Sequence, residues 1–403
     1  MTDKRPNEGP LSGVRVIDAS SLFAGPGIAA WLGDFGADVI KIEHPGGDAI
    51  RKLGIVKQGV PLAWKIFNRN KRCITLSIKH PKGQEILRRL VSQADVMIEN
   101  FRTGTMEKWG VGWENLSAVN PRLVMVRVTG FGQTGPYRNR PGFGTLAEAM
   151  SGFAHITGQP DGPPTLPPFG HADAVTAICG AYATMLALYE RDAKGSQKGQ
   201  YIDLAIYAQL FAILGYQATA YDQLGVIQRR TGNRTPDAAP RNVYETSDGR
   251  WVALSAAAPS IVERVLRLTG GDKAVNDPRF KTLEGRLAHV DELDGMVGGW
   301  IGKHSLEEVM DAFEEAQAAI APIYDISQIF EDPQYEARQD IVSVYDSELG
   351  KVKMQNVSMR LSRTPGRITH AGPRLGEHNK EIFCDMLGMS ESELAELGEE
   401  GVI

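Results

Sequence analysis

Short apolar runs alternate with helical patterns through the first half of the chain. Residues 14–18, 39–42 and 96–98 are rich in β-branched and other apolar side chains, and each run is too short for a typical helix. Between the first two runs, residues 28–35 carry apolar side chains at helical spacing. Strands and helices that alternate in this way are typical of a parallel sheet with helices on its faces. We therefore predict an α/β fold.

The same alternation continues to about residue 205. It predicts strands over residues 73–78, 123–128 and 201–205, and a helix over residues 81–92 that begins with a proline. Glycines and prolines are concentrated between residues 158 and 170, which is too many for a regular element, so we expect a loop there.

The pattern changes near residue 231, where a second domain is expected to begin. Residues 244–255 contain the turn Ser247-Asp248-Gly249, which predicts a β-hairpin, and helical patterns follow to about residue 315. In the tail, residues 352–359 resemble a strand and residues 379–387 a helix. We predict a large domain over residues 1–224 and a smaller domain over residues 225–330.

Composition narrows the class of protein. The chain has 403 residues, of which 42% are hydrophobic and 23% charged, as expected for a globular protein of about two domains. Its net charge of -5 provides no broad basic field for nucleic acid or an anionic membrane. Its cysteines, Cys73, Cys179 and Cys384, form no paired motif, and residues 1–10 are polar, unlike a signal peptide. No 18-residue apolar run occurs, so we expect a cytoplasmic protein without disulfides, a cysteine zinc site or a membrane span.

The turn Gly25-Pro26-Gly27 joins the first predicted strand to the first helix. Together with Glu43 at the end of the next strand, it fits a loose dinucleotide-binding pattern. A tight turn that packs a helix onto a sheet would use the same residues, so both interpretations stay open. Either interpretation leaves a helix N-terminus available for an anion.

Cations, asparagines and aromatic residues cluster at the ends of several predicted strands. A ligand with several phosphates and a flat base needs such groups. A solvated charged rim would look the same, and the residues alone do not decide between the two. The residues are Asn68, Arg69, Asn70, Lys71, Arg72, Lys79, Glu99, Asn100, Phe101, Arg102, Lys108 and Trp109.

Asp173 stands at the start of a predicted apolar helix that runs to about residue 189. Aspartate caps helices well, and on the residues alone a helix cap is the favoured interpretation. The alternative is a carboxylate exposed to a cleft, where it can attack an activated acyl group. The histidines have no metal-ligand spacing, and no G-x-S-x-G nucleophile motif occurs.

Motifs spread over residues 11–387 resemble the class III coenzyme A transferase family, which includes formyl-CoA transferases and alpha-methylacyl-CoA racemases. The motifs occupy residues 11–18, 24–26, 36–43, 70–72, 94–101, 130–136, 199–203, 232–240 and 375–378. The resemblance implies a Rossmann-like large domain and a smaller α+β domain, with residues 331–403 returning to the large domain. It also implies two interlocked subunits, either a homodimer or a heteromer with a paralogous subunit.

The resemblance also implies the roles of individual residues. Asp173 falls on the catalytic aspartate of the family, and Leu22, Phe23 and Ala24 would line the thioester end of coenzyme A. His44 stands where some members have an arginine. The nucleotide and phosphates of coenzyme A would be held by His44, Leu76, Lys79, Asn100, Phe101, Arg102, Lys108 and Trp109.

The implied reaction moves coenzyme A from an acyl-CoA thioester to a small carboxylic acid. Asp173 would form an aspartyl mixed anhydride and then an aspartyl-CoA thioester, with backbone N–H groups stabilising each oxyanion. Coenzyme A and acyl-CoA are then substrates, and no tightly bound cofactor or metal is expected.

Two other functions remain as alternatives. The racemases use a histidine to move an α-proton, but the corresponding segment here reads Pro141-Gly142-Phe143-Gly144, and phenylalanine cannot transfer a proton. A coenzyme A-binding protein without catalysis would keep the cations at the strand ends but would not need Asp173. We therefore predict a CoA-transferase.

Overall fold

A computed structural model of the chain describes residues 9–403. Residues 1–8, part of the polar N-terminal segment, lie outside the described residues. The chain divides into two compact units. The first unit contains the described residues up to Phe153, Leu166–Ala218 and Glu336–Ile403, and the second contains Ala154–Thr165 and Thr219–Tyr335. The domain boundaries predicted from the sequence stay a prediction; residues 154–165, placed there in the large domain, group here with the second unit.

A six-stranded parallel sheet forms the centre of the first unit. The strands are β1 (Arg15–Asp18), β2 (Asp38–Glu43), β3 (Lys71–Thr75), β4 (Val96–Glu99), β5 (Val124–Thr129) and β6 (Tyr201–Ala205). Their spatial order is β3-β2-β1-β4-β5-β6, the order of Rossmann folds, in which the winding direction reverses between β1 and β4. The predicted α/β class is therefore confirmed.

The third strand differs from its prediction over residues 73–78. It begins at Lys71 and ends at Thr75, the residues over which it pairs with β2. Lys71 and Arg72 do not look like strand residues in a hydropathy pattern, yet Lys71 is fully buried in an ion pair with Asp18. A buried ion pair is therefore the reason that the pattern placed the strand too late.

Apolar side chains fill the core on both faces of the sheet, because successive strand residues point to opposite sides. Ile17 and Met97 pack on one face with the helix Pro81–Val91, and Val16 and Val96 pack on the other. The second face is covered by α1 (Ala24–Asp34) and α2 (His171–Asp192). Each fully buried aliphatic side chain of this kind stabilises the fold by roughly 1.5–3 kcal/mol.

Glycines allow α1 and α2 to approach each other closely. A Cβ atom on Gly27 would lie 2.8 Å from the Cβ of Ala177, and one on Gly180 would lie 2.3 Å from Cδ1 of Ile28. The residues Gly25, Pro26 and Gly27, predicted as a turn, lie in the first turn of α1, where Gly27 has a packing role. By length and composition alone α2 could cross a membrane, but several of its residues, among them Ala177 and Leu188, belong to this core. The cytoplasmic location expected from the sequence stays a prediction.

Two antiparallel hairpins and several short helices complete the first unit. One hairpin pairs Val56–Lys57 with Val60–Pro61. The other pairs Ile341–Asp346 with Gly350–Gln355, so the strand expected over residues 352–359 ends earlier. The further helical elements are Ala49–Lys52, Leu62–Phe67, Thr105–Lys108, Trp113–Val119, Gly144–Met150, Ile206–Ala212, the π-helical turn Glu381–Met386 and Glu391–Glu399. Phe153–Ile156, Gln217–Leu224 and Pro333–Arg338 belong partly to each unit.

The second unit contains a three-stranded antiparallel sheet packed against helices. The predicted hairpin is confirmed, since Arg241–Glu245 pairs with Trp251–Ser255 and Ile320–Pro322 adds a third strand. The predicted helical region is also present. Its helices are Pro259–Asn276, the 3₁₀ turn Pro278–Phe280, Leu283–Ala288, Val290–Ile301, Leu306–Glu315 and Ile326–Glu331.

Candidate active site

A cavity of 680 Å³ opens beyond the carboxyl ends of β1, β4 and β5. Ligands of Rossmann-type sheets bind at this place, where the strand order reverses. The loops after the three strands and the first turn of α2 contribute to the cavity wall. Among its lining residues are Ser21, Leu22, Phe23, Ala24, Asn100, Phe101, Arg102, Thr129, Gly130 and Asp173.

A second cavity, of 350 Å³, adjoins the first and shares Ser21 and Phe101 with it. Phe101 and Trp109 meet edge to face with ring centroids 5.1 Å apart, and they form an apolar wall together with Leu76. His44 and Lys79 supply nitrogen donors to the same cavity. An apolar wall beside donors is suited to a flat base and its phosphates.

The structure brings nearly all of the predicted site residues to these two cavities. Leu22, Phe23, Ala24, Asn100, Phe101, Arg102 and Asp173 line the first, and His44, Leu76, Lys79, Phe101 and Trp109 line the second. The exception is Lys108, which is exposed and lines neither cavity, although it precedes Trp109. The roles of these residues in binding stay predictions.

Asp173 is the third residue of α2 and does not cap the helix. The helix begins at His171, and its N-cap residue is Gly170, which makes no side-chain cap hydrogen bond. The carboxylate of Asp173 lies against Gly144 instead, because a Cβ atom on Gly144 would be 2.1 Å from Oδ2 of Asp173. The cap interpretation is therefore wrong, and the carboxylate faces the cavity.

Glu148 is a second carboxylate in this cavity, and sequence reasoning missed it. It is 2% exposed, and its Oε1 accepts a hydrogen bond of 3.2 Å from the N–H of Ala172. Burial and the negative charge of Glu148 together raise the pKa of Asp173 to about 6. The sequence does contain one indication of Glu148: it follows Gly144 by four residues, which places both residues on one face of a helix.

Buried charges hold the loop that carries Leu22. Oδ1 of Asp48 accepts a hydrogen bond of 3.2 Å from the N–H of Leu22, which has a φ of 66°. Nζ of Lys41 lies 3.2 Å from Asp48 and also donates to the carbonyl of Ser20. Leucine rarely adopts a positive φ, so this conformation depends on the surrounding contacts.

Asn100 ties the end of β4 to the same loop. Its Oδ1 accepts from the N–H of Ser21 at 2.8 Å, and its Nδ2 donates to the carbonyl of Ser21 at 2.7 Å. Both ends of the amide are thus occupied by backbone, and Asn100 shapes the cavity through Ser21.

Within residues 9–403, no cluster of three or more His, Cys, Asp or Glu side chains is arranged to hold a metal ion.

Comparison with known proteins identifies the family. The profile of CoA-transferase family III matches residues 11–379. The chain belongs to this family. This CoA-transferase is 42% identical to the succinyl-CoA–D-citramalate CoA-transferase of Chloroflexus aurantiacus, and the match covers 100% of each chain. Like the other members of its family, the present chain acts on coenzyme A thioesters as substrates.

Two further proteins resemble this CoA-transferase over most of its length. The β subunit of the succinyl-CoA–L-malate CoA-transferase of Chloroflexus aurantiacus is 40% identical, with 98% of each chain covered. The crystal structure of a CAIB/BAIF family protein from Brucella suis matches with a TM-score of 0.84 at 32% identity, covering 94% of this chain and 99% of that chain. The family indicated by the sequence motifs is therefore confirmed.

The contact between Asp173 and Gly144 gives the first testable prediction. In Gly144→Ala the new Cβ would occupy the position of the carboxylate, and we expect kcat to fall by roughly 100-fold through misplacement of Asp173. Steady-state kinetics with an acyl-CoA donor measure this fall. Gly295→Ala is the control, because Gly295 also lies in a helix but has open space around it. A wild-type kcat in Gly144→Ala would contradict the placement of Asp173 at the reaction centre.

The pKa of Asp173 gives a second prediction, on pH dependence. If the ionised carboxylate is the reacting form, kcat/KM for the donor should fall about tenfold per pH unit below pH 6. In Glu148→Gln one of the two causes of the raised pKa is removed, so the acidic limb should move to lower pH. Initial rates between pH 4.5 and 8 test both expectations. A limb that does not move in Glu148→Gln would show that Glu148 does not act on the charge of Asp173.

Proposed function

We propose that Asp173 carries first the acyl group and then coenzyme A during transfer between a dicarboxylic acyl-CoA and a carboxylic acid. The observation that carries this proposal is the position of Asp173, in one cavity with Leu22, Phe23 and Ala24. The adjoining cavity with His44, Lys79 and Trp109 would then take the nucleotide. The thioester would thus meet the carboxylate beyond the ends of β1 and β4.

The reaction begins with attack of the Asp173 carboxylate on the thioester carbonyl. The carbon–sulfur bond breaks, and the products are an aspartyl mixed anhydride and the thiolate of coenzyme A. The thiolate then attacks the aspartyl carbonyl, which releases the donor acid and leaves an aspartyl-CoA thioester. The acceptor carboxylate repeats these steps in reverse, so no net proton transfer is required.

Each attack creates an oxyanion that needs hydrogen-bond donors. Gly130, Gly142 and Gly144 line the cavity, and glycine presents only backbone there. Their N–H groups are our candidates for the donors. The position of Gly144 supports this assignment most directly, because its Cα lies beside the Asp173 carboxylate.

Dicarboxylic acids are the proposed substrate class. Both Chloroflexus relatives are named for succinyl-CoA as one substrate and for citramalate or malate as the other. All of these molecules carry a second carboxylate. We extend this class to the present chain because of its identity to those relatives over the whole length.

The racemase alternative is not favoured. Phe143 lines the cavity and has no group that could move an α-proton. A binding protein without catalysis would not require a carboxylate with a raised pKa in the cavity. A racemase would form no covalent adduct on Asp173, and a binding protein would keep its properties when Asp173 is replaced.

We also propose that the protein is a homodimer, with a heteromer as the other outcome. One face of α2 exposes Ile178, Tyr182, Met185, Leu186 and Tyr189, and Tyr182 is 65% exposed. A helix in the core of a unit normally turns polar side chains to solvent. A second copy of the chain would cover this face. Such a dimer agrees with the interlocked subunits that the family resemblance implies.

Covalent trapping tests the role of Asp173. After mixing with succinyl-CoA and hydroxylamine, we expect mass spectrometry to find a hydroxamate on the peptide that contains Asp173. Asp173→Asn should lose the modification and CoA transfer while it keeps affinity for coenzyme A. Glu148→Gln is the matched control, because it removes a carboxylate from the same cavity and should still be modified. Transfer that persists in Asp173→Asn would contradict the mechanism.

Sedimentation velocity tests the oligomeric state. We expect the purified chain to have twice the mass of one subunit, and we expect Tyr182→Glu to shift it toward the monomer by placing a charge on the apolar face of α2. Tyr345→Glu is the control, since Tyr345 is 75% exposed on a separate hairpin. A monomer that becomes active only with a second, different subunit would favour the heteromer.

A further inference from the structure

The cavity that contains Asp173 carries more positive than negative side chains. Arg102, Arg138 and Arg140 line it, whereas its acidic lining residues are Glu148 and Asp173. Glu148 is already engaged with the backbone of α2. The lining therefore favours an anion in addition to the reacting carboxylate.

Arg138 differs from the structural arginines of this unit because its guanidinium is unpaired within the described part of the chain. Arg127 donates to Glu99 at 2.8 Å, and Arg191 lies 2.9 Å from Asp95. The Arg138 side chain has no ion pair or hydrogen bond within residues 9–403, and only its backbone N–H donates, to the carbonyl of Gly135. A guanidinium without a carboxylate partner is free to bind one from a ligand.

Arg140 lies on the same loop and is held in place by an aromatic ring. Its guanidinium carbon is 3.8 Å from the centroid of Tyr137, and its backbone N–H donates to the carbonyl of Tyr137 at 2.8 Å. Stacking of this kind fixes the plane of a guanidinium and leaves its N–H edge available. Less side-chain entropy is then lost when an anion binds.

The loop itself is anchored at both ends, so the two arginines are presented by a defined backbone. A Cβ atom on Gly130 would lie 2.6 Å from Cα of Gly142, which means that the two ends of the loop touch. The N–H of Gln133 donates to the carboxylate of Asp203 on β6 at 3.0 Å. Phe131 packs against Tyr137 with centroids 6.0 Å apart.

The lining of the Asp173 cavity also contains apolar side chains. Leu53, Leu166 and Phe169 line this cavity, and they can contact the methylene groups of a short acid. The phosphates of coenzyme A have their own candidate groups, His44 and Lys79, in the adjoining cavity. The cavity of Asp173 therefore has a place for a short chain with an anion at each end.

We propose that Arg138 and Arg140 form a subsite for the second carboxylate of a dicarboxylic acid whose other carboxyl group reacts at Asp173. This inference rests on the proposed function and names the residues that select the acid. A guanidinium binds a carboxylate through two parallel hydrogen bonds, which a methyl group at the same position cannot make. The enzyme thereby discriminates against monocarboxylic acids of equal length.

Acceptor kinetics test the subsite. The full chain is assayed with succinyl-CoA as donor and with glutarate or valerate as acceptor, which differ only in the second carboxylate. We expect Arg138→Gln and Arg140→Gln each to lower kcat/KM for glutarate at least tenfold, on the scale of a charge-assisted hydrogen bond, and to change valerate less than twofold. The proposed reaction releases the donor acid before the acceptor reacts, so this constant reports the acceptor step alone.

Two controls separate the subsite from other roles of the arginines. Arg363→Gln removes an exposed guanidinium outside both cavities and should leave the ratio of glutarate to valerate unchanged. Calorimetry with free coenzyme A should give the same Kd for the wild type, Arg138→Gln and Arg140→Gln. A weaker affinity for coenzyme A in both variants would assign the arginines to its phosphates and overturn the proposal. Equal losses with glutarate and valerate would also overturn it.

Direct binding distinguishes failure of the subsite from failure of the proposed reaction. We expect the wild type to bind glutarate in the presence of coenzyme A, and Arg138→Gln to bind it at least tenfold more weakly. If the wild type transfers no coenzyme A but binds glutarate in this arginine-dependent way, the reaction is wrong and the subsite stands. If the wild type transfers coenzyme A but both variants keep their affinity for glutarate, the reaction stands and the subsite is wrong.

Discussion

A buried network of charges beneath the first strand determines where the active-site loop lies. Asp18, Lys41 and Lys71 are 0% exposed, and Asp48 is 6% exposed. Burial by itself would raise the pKa of Asp18, but Lys41 and Lys71 outweigh it and hold that pKa below its usual value. Loss of one member would leave an unpaired buried charge, which typically costs 3–5 kcal/mol. The network therefore acts as a unit.

The remaining hydrogen bonds of the network go to the loop of Leu22, which lines the cavity of Asp173. Lys41 holds the carbonyl of Ser20, and Asp48 holds the N–H of Leu22. A positive φ at Leu22 is unfavourable on its own, so the loop would relax if these contacts were lost. The buried ion pairs in this way connect the sheet to the loop that forms part of the cavity wall.

The sequence predicts the strands and helices well where apolar residues repeat, and less well where charges are buried. β6 is predicted at Tyr201–Ala205 and occurs there, whereas β3 begins at Lys71, a residue that hydropathy does not place in a buried strand. The resemblance to the family identified Asp173 and many of the residues that line the two cavities. It missed Glu148 and the arginine loop, because only the folded chain brings them into the lining of the same cavity as Asp173.

Under the proposed mechanism, the electrostatics of the cavity determine where cationic side chains can assist the carboxylate of Asp173. Burial and Glu148 raise the pKa of Asp173 to about 6, so it can still ionise near neutral pH, but they also make a further anion unfavourable. The dicarboxylic substrate that we propose would bring such an anion into the cavity beside two carboxylates. Guanidinium groups can offset that repulsion only at the far end of the substrate, since a cation in contact with Asp173 would lower its pKa and weaken it as a nucleophile. The arginines lie on the loop between β5 and the helix Gly144–Met150 and not on α2, which is consistent with this requirement.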